Sequence, residues 1–329
     1  MDSFIFALSA VAPIVLMVVL GYMLKKLGFM NERFSKEANR LVFRIFMPVM
    51  LFVKIYAMND LSSIDLGFIG FGVIGVLAIF FLSIPASIIV ARKKDRRGVL
   101  IQATVRSGYS LIGIPLAESL CGAAGGMAAT ILSAAVIPVF NVLAVISLVA
   151  IGNDSEKKPS VKSIILDIIK NPLIVGIASA LVCVVIRSVF VKFDIGFRLS
   201  NIGPLMTVLN YLANLAIPLA LLVLGAQFEF SAVAALKREI IYGTLARTVI
   251  VPAITLSIAY FVFGDRFDTA QMATFVALFA TPVAVPSVPM VQEMGGDVTL
   301  AGQLVVWSTL VSAFTVFAVT FLLRLGGAL

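Results

Sequence analysis

Two short segments hold most of the residues that could do chemistry. TPVAVPSVPM, 281–290, sets Pro282, Pro286 and Pro289 inside the apolar stretch 272–294. RSGYSLIGIPLAESLCG, 106–122, carries Arg106, Ser110, Gly113, Pro115 and Glu118. A proline inside a helix removes a backbone donor and clashes with the preceding turn, at about 3 kcal/mol per site. Three within eight residues predict an interrupted helix rather than a kink. An interruption leaves amides bare on the following half-helix and carbonyls bare on the preceding one. The amides near Ile114 to Leu116 and Val288 to Met290 are therefore expected to attract an anion. The carbonyls near Ser110 to Gly113 and Thr281 to Val285 are expected to hold a cation or a solute donor. Arg106, Ser110 and Gly113 share one helical face, so Arg106 either pairs with a solute carboxylate or snorkels to headgroups.

Other polar residues in apolar runs invite the same question. Glu118, with Gln292 in the second segment, is a candidate coupling site for a proton or sodium ion. The chain has no histidine, so a proton relay would need carboxylates. Asn141, buried mid-helix, is expected to face the broken helices. Arg44 and Arg247 lie nearer helix ends, where snorkelling or pairing between domains is the simpler expectation. Ser308, Ser312 and Thr315 form a stripe better explained by hydroxyls bonding their own helix. Cys121 and Cys183 sit in apolar surroundings and suggest neither a disulfide framework nor a metal site. No cofactor is implied.

These residues need a membrane to position them. Of 329 residues, 61% are hydrophobic and 13% charged, and apolar runs of spanning length recur along the chain. Ten spans are expected, roughly 4–24, 39–57, 66–91, 99–121, 127–150, 171–191, 204–228, 241–263, 270–294 and 299–323. The net charge of +8 is clustered between spans, as topology determinants rather than a nucleic-acid surface. Lysine and arginine crowd the odd-numbered connections, which places those in the cytoplasm and both termini outside. A polar connection, 152–170, divides the chain into five spans (1–151) and five (171–329).

An odd number of spans per half means that related halves would be inverted in the membrane. Pro48 can be laid on Pro218, with Leu51 on Leu221 and Val53 on Val223. At nearly the same offset Pro115 falls on Pro289, Glu118 on Gln292 and Gly122 on Gly296. The fold expected is thus all-α and polytopic, a 5+5 inverted repeat with broken fourth and ninth helices meeting at mid-membrane.

The chain resembles the auxin efflux carrier family, related to the plant auxin carriers and the bile-acid symporter superfamily. The resemblance is carried by residues 20–52, by RSGYSLIGIPLAESLCG, by IPVFNVLAV (137–145) and by residues 281–315. It implies a scaffold from spans 1, 2, 6 and 7 and a transport domain from spans 3–5 and 8–10. It also implies a homodimer, and broken helices that cross at the substrate site. The family's asparagine ahead of the Gly-Ile-Pro segment is absent, since the sequence there reads Ser107-Gly108-Tyr109. Candidate substrate contacts are then Arg106, Tyr109, Ser110, Gly113, Ile114, Pro115, Asn141, Thr281, Pro282, Val285, Pro286 and Pro289. The activity expected is alternating-access transport of a small organic anion, a carboxylate, across the cell membrane. A channel, or a carrier for an uncharged solute, is the alternative. An enzyme is disfavoured: HExxH and GxSxG are missing, and MGGD (294–297) does not follow the G-x-G-D order of membrane aspartyl proteases.

Overall fold

The computed structural model describes residues 2–57, 65–152, 166 and 169–329. Most of the mid-chain connection 152–170, with Lys157, Lys158 and Lys162, lies outside the described residues. The described residues are mostly helical and contain no strand, only one isolated β-bridge. The helices are α1 (Asp2–Lys26), α2 (Glu32–Leu41), α3 (Met47–Tyr56), α4 (Leu66–Val90), α5 (Lys94–Val105), α6 (Ile114–Ile146) and α7 (Pro172–Lys192). There follow α8 (Gly203–Gln227), α9 (Ala232–Leu245), α10 (Val251–Phe261), α11 (Thr269–Phe279), α12 (Ser287–Glu293) and α13 (Val298–Leu325). Among the described residues six helical stretches are long and apolar enough to cross a membrane, which makes this a multi-pass membrane protein.

Helix starts follow their capping residues. Asn31, Asp65, Asn171, Asp268 and Asp297 each accept a hydrogen bond from a backbone N–H of the first turn. Prolines act differently here. The π-helical turns Val42–Phe46, Tyr109–Gly113 and Ala246–Ile250 each end two residues before a proline, Pro48, Pro115 and Pro252. A wider turn accommodates the missing donor and relieves the clash of the proline ring with the preceding carbonyl, so these helices continue.

The stretch Tyr109–Ile151 is 43 residues long. A straight helix of that length would measure about 65 Å, twice a bilayer core of about 30 Å. It reverses instead at Cys121–Gly122, where Gly122 takes a φ of 62° that side chains rarely adopt. Tyr109 Oη consequently donates to the Ala129 carbonyl at 2.8 Å, twenty positions along the chain. Elsewhere small residues let helices touch. A Cβ on Gly225 would overlap the Val18 carbonyl and one on Gly21 the Leu222 carbonyl, so α1 and α8 pack backbone to backbone.

Among the described residues two large apolar cores result, with a small third cluster of Met30, Ala38, Val223 and Ala226. One joins α1, α3, α7 and α8 to α5, α12 and α13. The other lies among α4, α6, α10 and α11, with Phe71, Phe267, Phe275 and Phe279 in ring contact.

Candidate functional site

The chain is interrupted once ahead of the Gly-Ile-Pro segment and once in the proline-rich segment, and the two interruptions pair with each other. The chain leaves α5 at Arg106 and resumes helical turns at Tyr109. It leaves α11 at Ala280 and resumes at Ser287. Between them Ser107 and Val283 form an antiparallel bridge: Gly108 N–H donates to the Pro282 carbonyl at 2.7 Å, and Ala284 N–H to the Arg106 carbonyl at 3.1 Å. Val283 N–H is taken by Ser308 Oγ at 3.1 Å. Backbone that would be unsatisfied in lipid is thus paired within the protein.

The first interruption lies several residues before the position expected. Pro115 does not break its helix; it occupies the first turn of α6, after the π-turn, and is exposed. The bare carbonyls therefore belong to Thr104 and Val105, not to Ser110–Gly113. The second interruption falls where its prolines place it, with Pro282 and Pro286 inside it and Pro289 in the first turn of α12.

The carbonyl ends are not empty. Arg247, from the π-turn between α9 and α10, is fully buried at 0% exposure. Its guanidinium donates to the carbonyls of Thr104 at 3.0 Å, Val105 at 3.3 Å, Leu278 at 3.0 Å, Phe279 at 2.6 Å and Thr281 at 2.9 Å. It does not snorkel, and among the described residues it pairs with no acid, which overturns the expectation from its position. Arg44 pairs with Glu293 at 3.1 Å, joining the α2–α3 turn to α12.

Beside the paired interruptions lies a small, partly enclosed cavity of about 40 Å³, room for two or three waters. Arg106, Ser107 and Ser110 line it from the first interruption, Val285 and Pro286 from the second, and Asn141 from α6. Ile14, Met50, Leu51 and Ile217 wall it on one side, from α1, α3 and α8. Arg106 is 6% exposed; it donates to Asn141 Oδ1 at 3.0 Å and to Met290 Sδ at 3.2 Å. Among the described residues no carboxylate pairs with it. Ser107 Oγ is buried there without a hydrogen-bond partner. The arrangement sets a cation and, buried beside it, an unpartnered hydroxyl at the cavity wall.

Of the expected contacts, Tyr109 also lines this cavity, while Gly113, Ile114, Pro115, Thr281, Pro282 and Pro289 do not. Thr281 and Pro282 serve through their carbonyls, on Arg247 and Gly108. Glu118 is exposed beside the Cys121–Gly122 reversal, away from the cavity. Gln292 belongs to an amide cluster with Asn39 and Gln227 at one end of the bundle. Lys54, overlooked in the sequence, reaches the Ser110 carbonyl from α3 at 3.4 Å.

Comparison with known proteins bears on the family. The family model described as "Membrane transport protein" matches residues 6–320. The "Uncharacterized transporter MJ1031" of Methanocaldococcus jannaschii is 27% identical over 260 residues, 77% of this chain and 79% of the relative. The chain belongs to the membrane transport protein family, the auxin efflux carrier family that its sequence resembles.

Proposed function

We propose that the protein is a secondary transporter that carries a small organic anion, a carboxylate, through the crossing by alternating access. The observation that carries this reading is Arg106: a buried guanidinium with no acidic partner, beside an unpartnered Ser107 hydroxyl, at the wall of a cavity between two groups of helices. A buried charge left unpaired is costly, and a carboxylate supplies what is missing through two parallel hydrogen bonds. The cavity is too small for an organic solute and is walled on one side by α1, α3 and α8, as suits a carrier between its open forms better than a channel.

In this reading α1–α3, α7 and α8 are the scaffold, and the interrupted helices move with α4, α6, α9–α10 and α13. The chain makes ten passes as a 5+5 inverted repeat, since Tyr109–Ile151 folds back into two and each interrupted pair counts as one. The basic connections lie in the cytoplasm and both termini outside, in the cell membrane of a homodimeric carrier. A coupling proton or sodium ion would need ligands other than Glu118 and Gln292, because neither reaches the cavity.

The test is binding. Purified protein in nanodiscs, screened with carboxylates by thermal shift, should bind at least one. Arg106→Ala should weaken that ligand by about ten- to a hundredfold, the loss of a charged hydrogen-bonded pair. Unchanged affinity in a folded Arg106→Ala variant would remove the carboxylate from this cavity.

A further inference from the structure

Arg247 stands behind the crossing, outside the cavity lining, and its charge has no acidic partner among the described residues. Five backbone carbonyls surround it, from the last turns of α5 and α11 and the start of the second interruption. Each helix C-terminus carries roughly half a negative charge, so two facing the same point amount to about one. A single guanidinium cancels that, and its planar fork of five donors matches a carbonyl cage better than an ammonium would.

We propose that this cage is a cation site whose resident cation is the Arg247 side chain, and that this built-in charge makes the neighbouring cavity select an anion. The proposal rests on reading that cavity as the solute site. Without Arg247, the carbonyl ends would turn a negative field toward the cavity and oppose a carboxylate beside Arg106. With it, Arg106, joined by Lys54 on the Ser110 carbonyl, sets a positive sign there. The interrupted helices therefore need no bound metal cation at their carbonyl ends to accept an anion, because the chain carries the cation itself. Arg247 thus determines specificity through the field it cancels and touches no solute.

Two readouts test this on the full chain in nanodiscs. In the first, Arg247→Ala is unfolded thermally in low-millimolar guanidinium chloride, with sodium chloride and urea as matched controls. Free guanidinium should raise its midpoint by several degrees and leave the wild type unmoved; no selective rise would overturn the resident-cation assignment. In the second, benzoate and its neutral isostere benzamide are compared as probes. Arg247→Ala should lose benzoate affinity by about tenfold or more and keep benzamide within about twofold, with guanidinium restoring benzoate. Equal loss of both probes would show a merely structural residue and overturn the charge role. Should Arg247→Ala fail to fold, Arg247→Lys decides: retained preference for benzoate supports the proposal, and equal loss of both probes overturns it. A wild type that binds neither probe would count against the carboxylate reading of the cavity, while the guanidinium readout still decides the cage.

Discussion

Ser107 and Val283, from segments far apart in sequence, face each other as one antiparallel pair in an otherwise helical molecule. This contact binds the two interruptions into a unit. Each lends the other a donor and an acceptor, and Ser308 and Arg247 absorb groups left over.

Gly108→Pro tests the bridge. Gly108 has a φ of −71°, which suits proline, but the substitution deletes the N–H that reaches Pro282 and drives the proline ring into the same carbonyl oxygen. The lost bond alone should cost about 1–3 kcal/mol and the clash adds to it, read as a lowered unfolding midpoint in detergent. An unchanged midpoint would mean that the bridge does not hold the crossing.

Ser308→Ala removes the acceptor for Val283 N–H. A similar loss of about 1–3 kcal/mol is expected, with Ser308→Thr recovering most of it. If alanine and threonine behave alike, the hydroxyl bonds only its own helix, as the sequence alone suggested.

The ion pairs at one end of the bundle should rank by burial. Arg96 bridges Glu239 at 3.0 Å and Asp297 at 2.9 Å with 20% of its side chain exposed, whereas Arg44 is 54% exposed beside Glu293. Arg96→Met strands two partly buried carboxylates and should cost about 1–3 kcal/mol. Arg44→Met should cost no more than about 1 kcal/mol and depend on salt. The reverse order in thermal unfolding would contradict the described network.

Glycine packing offers a paired comparison. Gly225→Ala should force α1 and α8 apart at about 1–3 kcal/mol, because the added carbon overlaps the Val18 carbonyl. Gly70→Ala meets nothing nearby and should be neutral or slightly stabilising. Equal effects would refute the close approach of α1 and α8.

Much of this molecule could be read in advance, for identifiable reasons. Apolar runs and capping residues mark the helices, and Pro282 and Pro286 mark the second interruption. The first was misplaced because it contains no proline: Arg106–Gly108 leaves the helix to pair with a distant segment, a tertiary event without local signature. Pro115 drew attention downstream, but a π-turn lets its helix pass. Arg247 was misread because its partners are backbone carbonyls, which every residue possesses and no spacing reveals. Glu118 could be read as a coupling site because Gly122 does not announce that the chain reverses there and leaves the carboxylate exposed.

The most direct test of the central claim is transport itself. Proteoliposomes containing the wild type, Arg106→Ala or no protein would be offered a panel of radiolabelled carboxylates and their neutral amides. Saturable uptake of at least one carboxylate, with little of its amide, that falls about tenfold or more in the Arg106→Ala vesicles is the predicted result. Uptake by Arg106→Ala equal to the wild type, or wild-type permeability to ions without saturation, would contradict an anion carrier built on this crossing.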